Sequence, residues 1–257
     1  MLNLNLFNGQ VKFVLTDKLM GDFRLQADGT YSRLKPVLKE IKAVDCIGFR
    51  AGRFTNKVVE DEKININFAY NHLGLVTGYA DGFITERRHQ AILMTAADCW
   101  SGVLFDKLNH RLCLVHLGLR NLYREDGSQS TLAVAVEKMA KRCPREDLLF
   151  WFGGGIQRCC YGFSETDLIL LSKLQEKFPS GVITGALVRK GPRAKNEAVA
   201  VNLFDIIASE ALNLGLRPTI TPASHFCTSC SKTGNDYEFW SHVRGDKERN
   251  AAMVVML

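Results

Sequence analysis

The sequence lacks any run near the ~18 consecutive apolar residues that a bilayer-crossing helix requires, which argues against a membrane span. No basic stretch leads into an apolar one near Met1, so no secretory leader is expected. A cytoplasmic location follows. Dense basic stripes are missing too. The 33 Lys and Arg against 27 Asp and Glu give a net charge of +6, clustered only briefly, as at Arg87-Arg88 and Lys141-Arg142. This pattern argues against a nucleic-acid reader and leaves attraction for small anionic ligands. The six histidines contain no H-x-H pair, the motif that clustered copper sites rely on. Internal repeats and low-complexity linkers are also absent.

What is there is enough apolar material for a large core, at 46% of the residues. A reducing compartment makes the eight cysteines thiols, metal ligands or core residues rather than a disulfide framework. Runs at 11–15, 64–68, 102–105, 111–116, 148–152, 239–243 and 252–256 are expected as strands. Helices are expected over 165–178, capped by Ser164, over 198–214, ended by Gly215, and over 130–141. The order suits an α/β (α+β) layered fold of mixed sheets flanked by helices. One domain is expected over 1–257, with 1–63 its divergent amino-terminal part and 17–63 the least readable stretch.

Cys99 and His116 fall where apolar strands open into loops, and His72 closes an earlier strand in the same way. Strand ends can bring side chains together on a rigid scaffold. One thiolate and two imidazoles suit zinc, and three protein ligands leave a fourth position open for water or substrate. The separations are too long for a local motif, so the fold must assemble the site. From spacing alone, buried core residues are the commoner reading of a lone Cys or His.

The blocks around these residues resemble a known family. ADCWSGVLFD (97–106) followed by LCLVHLGLRNL (112–122) is similar to the T-A-D-C and H-A-G-W-R-G blocks of the laccase-domain family, also called the multicopper polyphenol oxidase or YfiH-type family. YNHLGLV with ADGFIT, FGGGIQRCCYGF, FCTSC and YEFWSHVRGDKERNAAMVV resemble further blocks in family order, spanning roughly 66–257. The resemblance implies zinc bound by His72, Cys99 and His116, with copper as the alternative ion. It also implies phosphorolysis of adenosine, inosine and methylthioadenosine, and adenosine deamination as a second activity. Arg120, Arg244 and Arg249 match family arginines and are the phosphate-binding candidates. Asp98 joins Cys99 and His116 as a catalytic candidate, either orienting a ligand or capping a turn. A purine nucleoside and phosphate are the expected partners, of a monomer or homodimer.

Several positions depart from the family pattern: Ser101, Gly102, Leu119, Asn121, Gln157, Arg158, Val243 and Glu248. Three other readings therefore stand beside the phosphorylase: a copper-dependent polyphenol oxidoreductase, a cysteine hydrolase using Cys99 with His116 as base, and a non-catalytic relative. Cys227-x-x-Cys230 reads as half of a metal or redox motif without a second pair, with Cys227 local in role and Cys230 incidental. Cys159-Cys160 reads as part of a packed turn. The Gly153–Gly155 run matches no phosphate loop but would let backbone approach a ligand. Phe239 and Trp240 could stack on a base, though core packing is the commoner role. His225 could reach the site, whereas His89, His110 and His242 read as surface or structural.

Overall fold

In the computed structural model, the described residues are 1–25, 29–51, 55–61, 66–70, 73–164, 168–184 and 197–257. Among them, two large mixed sheets face each other and helices cover their outer sides. The first sheet runs in the order Leu2–Leu6, Val11–Leu15, Asn250–Met256, Gln90–Ala96, Asp45–Arg50, Leu73–Tyr79, Ile66–Tyr70. The second runs Pro218–Thr219, Leu149–Gly153, Trp100–Asp106, Arg111–Leu117, Gly82–Thr85, Val58–Glu60. A smaller sheet joins Gly162–Ser164, Glu197–Val201 and Val182–Thr184. The expected α/β class of mixed sheets and flanking helices is what the chain adopts.

Strand side chains alternate between faces, so each central strand feeds two cores. Phe13, Ile92, Met94 and Val254 of the first sheet meet Phe83, Val103, Phe105, Leu112, Leu114 and Trp151 of the second. Leu93 and Met253 point the other way, onto Leu34, Val37 and Leu38 of the helix Thr30–Glu40. Leu104, Cys113 and Val115 face the helices Thr131–Met139 and Leu203–Asn213. Burial on both faces is why these strands are apolar throughout rather than alternating. Each fully buried large apolar side chain contributes roughly 1.5–3 kcal/mol.

Two expected elements differ. Residues 239–243 are not a strand, because side chains take their backbone donors. Trp240 N–H donates to Asn250 Oδ1 at 2.9 Å, Ser241 N–H to Asp246 Oδ2 at 2.9 Å, and Val243 N–H to Asp98 Oδ2 at 2.8 Å. The helix expected over 198–214 begins only at Leu203, since Glu197–Val201 pairs as a strand with Val182–Thr184. The β-branched alternation of Val199 and Val201 favours the pleat. Of the helix expected over 165–178, Leu168–Lys177 is helical and 165–167 lie outside the described residues. The unread stretch contains the helix Thr30–Glu40, which carries Pro36 in its interior.

Candidate functional site

The register of one hairpin builds the site. Trp100–Asp106 pairs antiparallel with Arg111–Leu117, setting Ser101 opposite His116 and Trp100 opposite Leu117. Just beyond that paired stretch, the Cys99 sulfur lies beside Gly118. His116 and Gly118 share the face that looks between the two sheets, because side chains alternate. Cys99 lies in the turn by which the chain crosses from Gln90–Ala96 of one sheet to Trp100–Asp106 of the other. It is half-buried at that rim.

These groups converge on one point. A methyl carbon placed on Gly118 would lie 3.3 Å from Cys99 Sγ, 3.6 Å from His116 Nε2 and 3.1 Å from Asn121 Oδ1. Glycine at 118 leaves that volume to other groups. Asn121 Oδ1 is buried and has no hydrogen-bond partner among the described residues, while its Nδ2 donates to Thr131 Oγ1 at 3.2 Å. An unpartnered buried acceptor costs about 1–3 kcal/mol unless something satisfies it. Asn121 Oδ1 lies close to the Cys99 sulfur and the His116 ring.

On its other side, the His116 strand has Asp81 as neighbour. His116 N–H donates to the Asp81 carbonyl at 2.8 Å, and His116 Nδ1 lies 3.0 Å from Asp81 Oδ1. Asp81 Oδ2 accepts from Thr55 N–H at 2.5 Å, Thr55 Oγ1 at 2.9 Å and Asn56 N–H at 3.1 Å. The carboxylate is therefore fixed before it orients the ring. Burial opposes its ionisation, but the His116 and Thr55 hydrogen bonds outweigh that and hold the acid down at about 2. Burial likewise opposes protonation of His116, yet the adjoining Cys99 sulfur and Asp81 push the imidazole up to about 10. A carboxylate on the far nitrogen of a ligating histidine is the usual support of such a ligand. Asp81 is not among the site residues that the sequence points to; its signal is its place in the ADGFIT block that resembles the family's.

Asp98 is adjacent to Cys99 but faces away from the ring. Its carboxylate accepts from Thr228 Oγ1 at 2.9 Å, Ser241 Oγ at 2.9 Å and Val243 N–H at 2.8 Å, while its carbonyl accepts from Ile156 N–H at 2.9 Å. Its φ of 79° turns the chain sharply before Cys99, a conformation Asp tolerates better than most residues. Burial raises its pKa against these hydrogen bonds. Asp98 thus ties three loops to the turn that presents Cys99.

The remaining candidates are placed as follows. His72 lies outside the described residues. Arg120 is exposed on the short helix Leu119–Leu122 and lines a groove of about 470 Å³ with Tyr123, Tyr161 and Phe163. Arg244 donates to the carbonyls of Ser229 at 2.6 Å and Phe239 at 2.5 Å, pairs with Asp246, and lies 4.2 Å from the Tyr237 ring centre. Arg249 donates to the carbonyls of Lys247 at 2.9 Å and Glu248 at 2.8 Å. The glycine run approaches indoles rather than an open pocket: a methyl on Gly155 would fall 2.2 Å from the Trp100 ring, and one on Gly153 2.5 Å from Trp151. Phe239 is buried and stacks on Phe226, and His225 stacks on Phe204 at 5.0 Å. Trp240 donates its indole N–H to the Gly21 carbonyl at 3.0 Å.

A sequence profile of the family described as multi-copper polyphenol oxidoreductase laccase matches residues 44–257. The chain belongs to this family. Three solved structures share the fold. The Bacillus licheniformis hypothetical protein YfiH superposes with a TM-score of 0.72 at 17% identity, covering 96% of this chain and 93% of its own. Neisseria meningitidis protein NMB0706 gives 0.72 at 13% identity, covering 99% and 98%. YlmD from Geobacillus stearothermophilus gives 0.67 at 16% identity, covering 96% and 92%. No curated protein sequence matches this chain significantly. Among the described residues, no helix is long and apolar enough to cross a membrane.

Proposed function

We propose that this laccase-domain protein is a zinc-dependent purine nucleoside phosphorylase, cleaving adenosine, inosine or methylthioadenosine with phosphate, and that adenosine deamination is its second activity. The observation that carries the reading is the convergence of Cys99 Sγ, His116 Nε2 and the unpartnered Asn121 Oδ1 on one point at the rim between the sheets. Cys99 and His116, with His72, are the ligand set, and one thiolate with two imidazoles suits zinc. A zinc ion held there would supply Lewis acidity toward a substrate or water oxygen.

The chain's own residues set up the rest. Asp81 fixes the His116 ring so that Nε2 faces Cys99. Asp98 holds the Cys99 turn in place. Asn121 Oδ1 accepts an N–H or O–H from the bound ligand. Arg120, at the edge of its groove, is the leading phosphate candidate, because a guanidinium pairs with phosphate oxygens in a bidentate fashion. Arg244 and Arg249 complete the set, Arg244 ordered by bonds to the Ser229 and Phe239 carbonyls and Arg249 by bonds within its own loop. The test is product formation from adenosine, inosine and methylthioadenosine with and without phosphate. Purified zinc-loaded protein that forms neither free base nor inosine contradicts the reading.

One observation favours a second reading. A thiol beside an imidazole whose far nitrogen meets a carboxylate is also the order of nucleophile, base and orienting acid in cysteine hydrolases. Iodoacetamide separates the two. Zinc that protects Cys99 from alkylation supports the metal reading, and equal labelling with zinc present supports the hydrolase.

A further inference from the structure

Far apart in sequence, Cys159-Cys160 and Cys227-x-x-Cys230 come together in space. Their four sulfurs all lie within 4.8 Å of one another. Cys159 Sγ is 3.8 Å from Cys160 Sγ and 3.6 Å from Cys230 Sγ. A tetrahedral ion with Zn–S bonds of about 2.3 Å sets its sulfurs about 3.8 Å apart along each edge. The separations of 3.6 and 3.8 Å are close to that edge, and all four sulfurs stay within 4.8 Å of one another. These separations are far too long for disulfides, whose sulfurs are about 2.0 Å apart, and too short to enclose a cluster of several irons.

We propose that Cys159, Cys160, Cys227 and Cys230 form a second, structural metal site that takes one zinc ion through four thiolates. It is separate from the site of Cys99 and His116.

The local backbone is built for this. Residues 227–231 form a tight turn in which Ser231 N–H donates to the Cys227 carbonyl at 2.9 Å. Gln157 N–H donates to Cys227 Sγ at 3.4 Å, the kind of amide-to-sulfur bond that stabilises a thiolate. The opposing turn closes through Cys160 N–H to the Gln157 carbonyl at 2.9 Å. Gly155 and Cys227 form a parallel bridge, and Gln157 Nε2 donates to the carbonyls of Ser224 at 3.1 Å and Phe226 at 3.3 Å. The two loops are thus clasped with their sulfurs inward. Cys160 and Cys227 are buried, while Cys159 and Cys230 are half-buried and leave an entry path. Four thiolates this close repel one another strongly unless a cation sits among them.

The site also has a mechanical consequence. Thr228, inside the C-x-x-C turn, donates to Asp98 beside Cys99, and Arg244 donates to the carbonyl of the adjoining Ser229. An ion at the four sulfurs would staple two loops that brace the Cys99 turn.

The experiment uses the full chain, purified under reducing conditions. Zinc is measured by elemental analysis, and visible and ultraviolet spectra are taken after replacement by Co²⁺. Cys99→Ser is expected to retain zinc, and its cobalt form to show the intense thiolate-to-metal charge transfer and visible bands of a tetrahedral four-sulfur site. Adding Cys159→Ser or Cys230→Ser is expected to remove that metal and weaken those bands. Should Cys99→Ser fail to fold, the same loss is read from wild type against Cys230→Ser. Zinc content and cobalt spectrum unchanged by Cys159→Ser and Cys230→Ser would overturn the proposal, as would a Cys159–Cys230 disulfide that persists in reductant. Neither readout depends on nucleoside turnover, so a failure of the phosphorylase reading leaves this result standing.

Discussion

Asp81 and His116 are cross-strand neighbours joined twice, once through the backbone at 2.8 Å and once between Oδ1 and Nδ1 at 3.0 Å. The pairing of Gly82–Thr85 with Arg111–Leu117 dictates both contacts. A carboxylate held by three further donors cannot rotate away, so the imidazole it carries points one way.

Replacing that carboxylate with an amide keeps the shape and removes the charge. Asp81→Asn is expected to weaken zinc binding by about 10–100-fold, the usual cost of losing a histidine's supporting group. Competition with a chromogenic chelator measures it. Affinity equal to wild type would remove Asp81 from the site.

Acid stability follows from the same residue. Its folded-state pKa is depressed to about 2 from 3.8. The stabilisation is therefore complete above about pH 4 and is lost as pH falls through 2, amounting to about 2 kcal/mol. Urea unfolding of metal-free protein across that window is expected to show this loss in wild type. Asp81→Asn is expected to flatten it.

Gly118→Ala tests the shared volume directly. The new methyl would sit 3.1 Å from Asn121 Oδ1, 3.3 Å from Cys99 Sγ and 3.6 Å from His116 Nε2. Stability is expected to change by about 1–3 kcal/mol, as for modest overpacking. Metal affinity or turnover is expected to fall by an order of magnitude or more. Full retention of both would show that the ligand lies elsewhere.

Asn121 stands where the family pattern has glycine, and its buried oxygen has no partner among the described residues. Asn121→Ala removes that orphan acceptor together with the bond to Thr131. The two effects oppose, so net stability is expected to stay within about 1 kcal/mol. KM for the nucleoside or phosphate is expected to rise roughly tenfold, the weight of one buried hydrogen bond to a ligand. An unchanged KM would leave Asn121 a packing residue.

How much of this was legible in the sequence depended on how local each signal was. The strands at Val11–Leu15, Arg111–Leu117 and Asn250–Met256 were readable because continuous apolar runs mark sheets buried on both faces. Phe239 to Val243 is rich in aromatic and β-branched residues yet forms a loop, since distant side chains capture its amides. Pro36 and the lysines around it hid the helix Thr30–Glu40. At the site, Cys99 and His116 were found through resemblance, but their meeting rests on hairpin register, which no single segment displays. Asp81 lies in the ADGFIT block that resembles the family's, but a block match does not show which of its residues meets the His116 ring. The four sulfurs were overlooked because Cys159-Cys160 lacks ligand spacing until the fold brings it to Cys227 and Cys230. In the sequence Asp98 suits a catalytic or a capping role; the structure gives its carboxylate three donors from other loops.

The most direct test of the central claim measures zinc and product on the same samples of wild type, Cys99→Ser and His116→Ala. Each substitution is expected to remove one zinc per chain and, with it, phosphate-dependent release of base from adenosine or inosine. Variants that keep the full zinc content, or that keep turnover after losing it, would contradict the account.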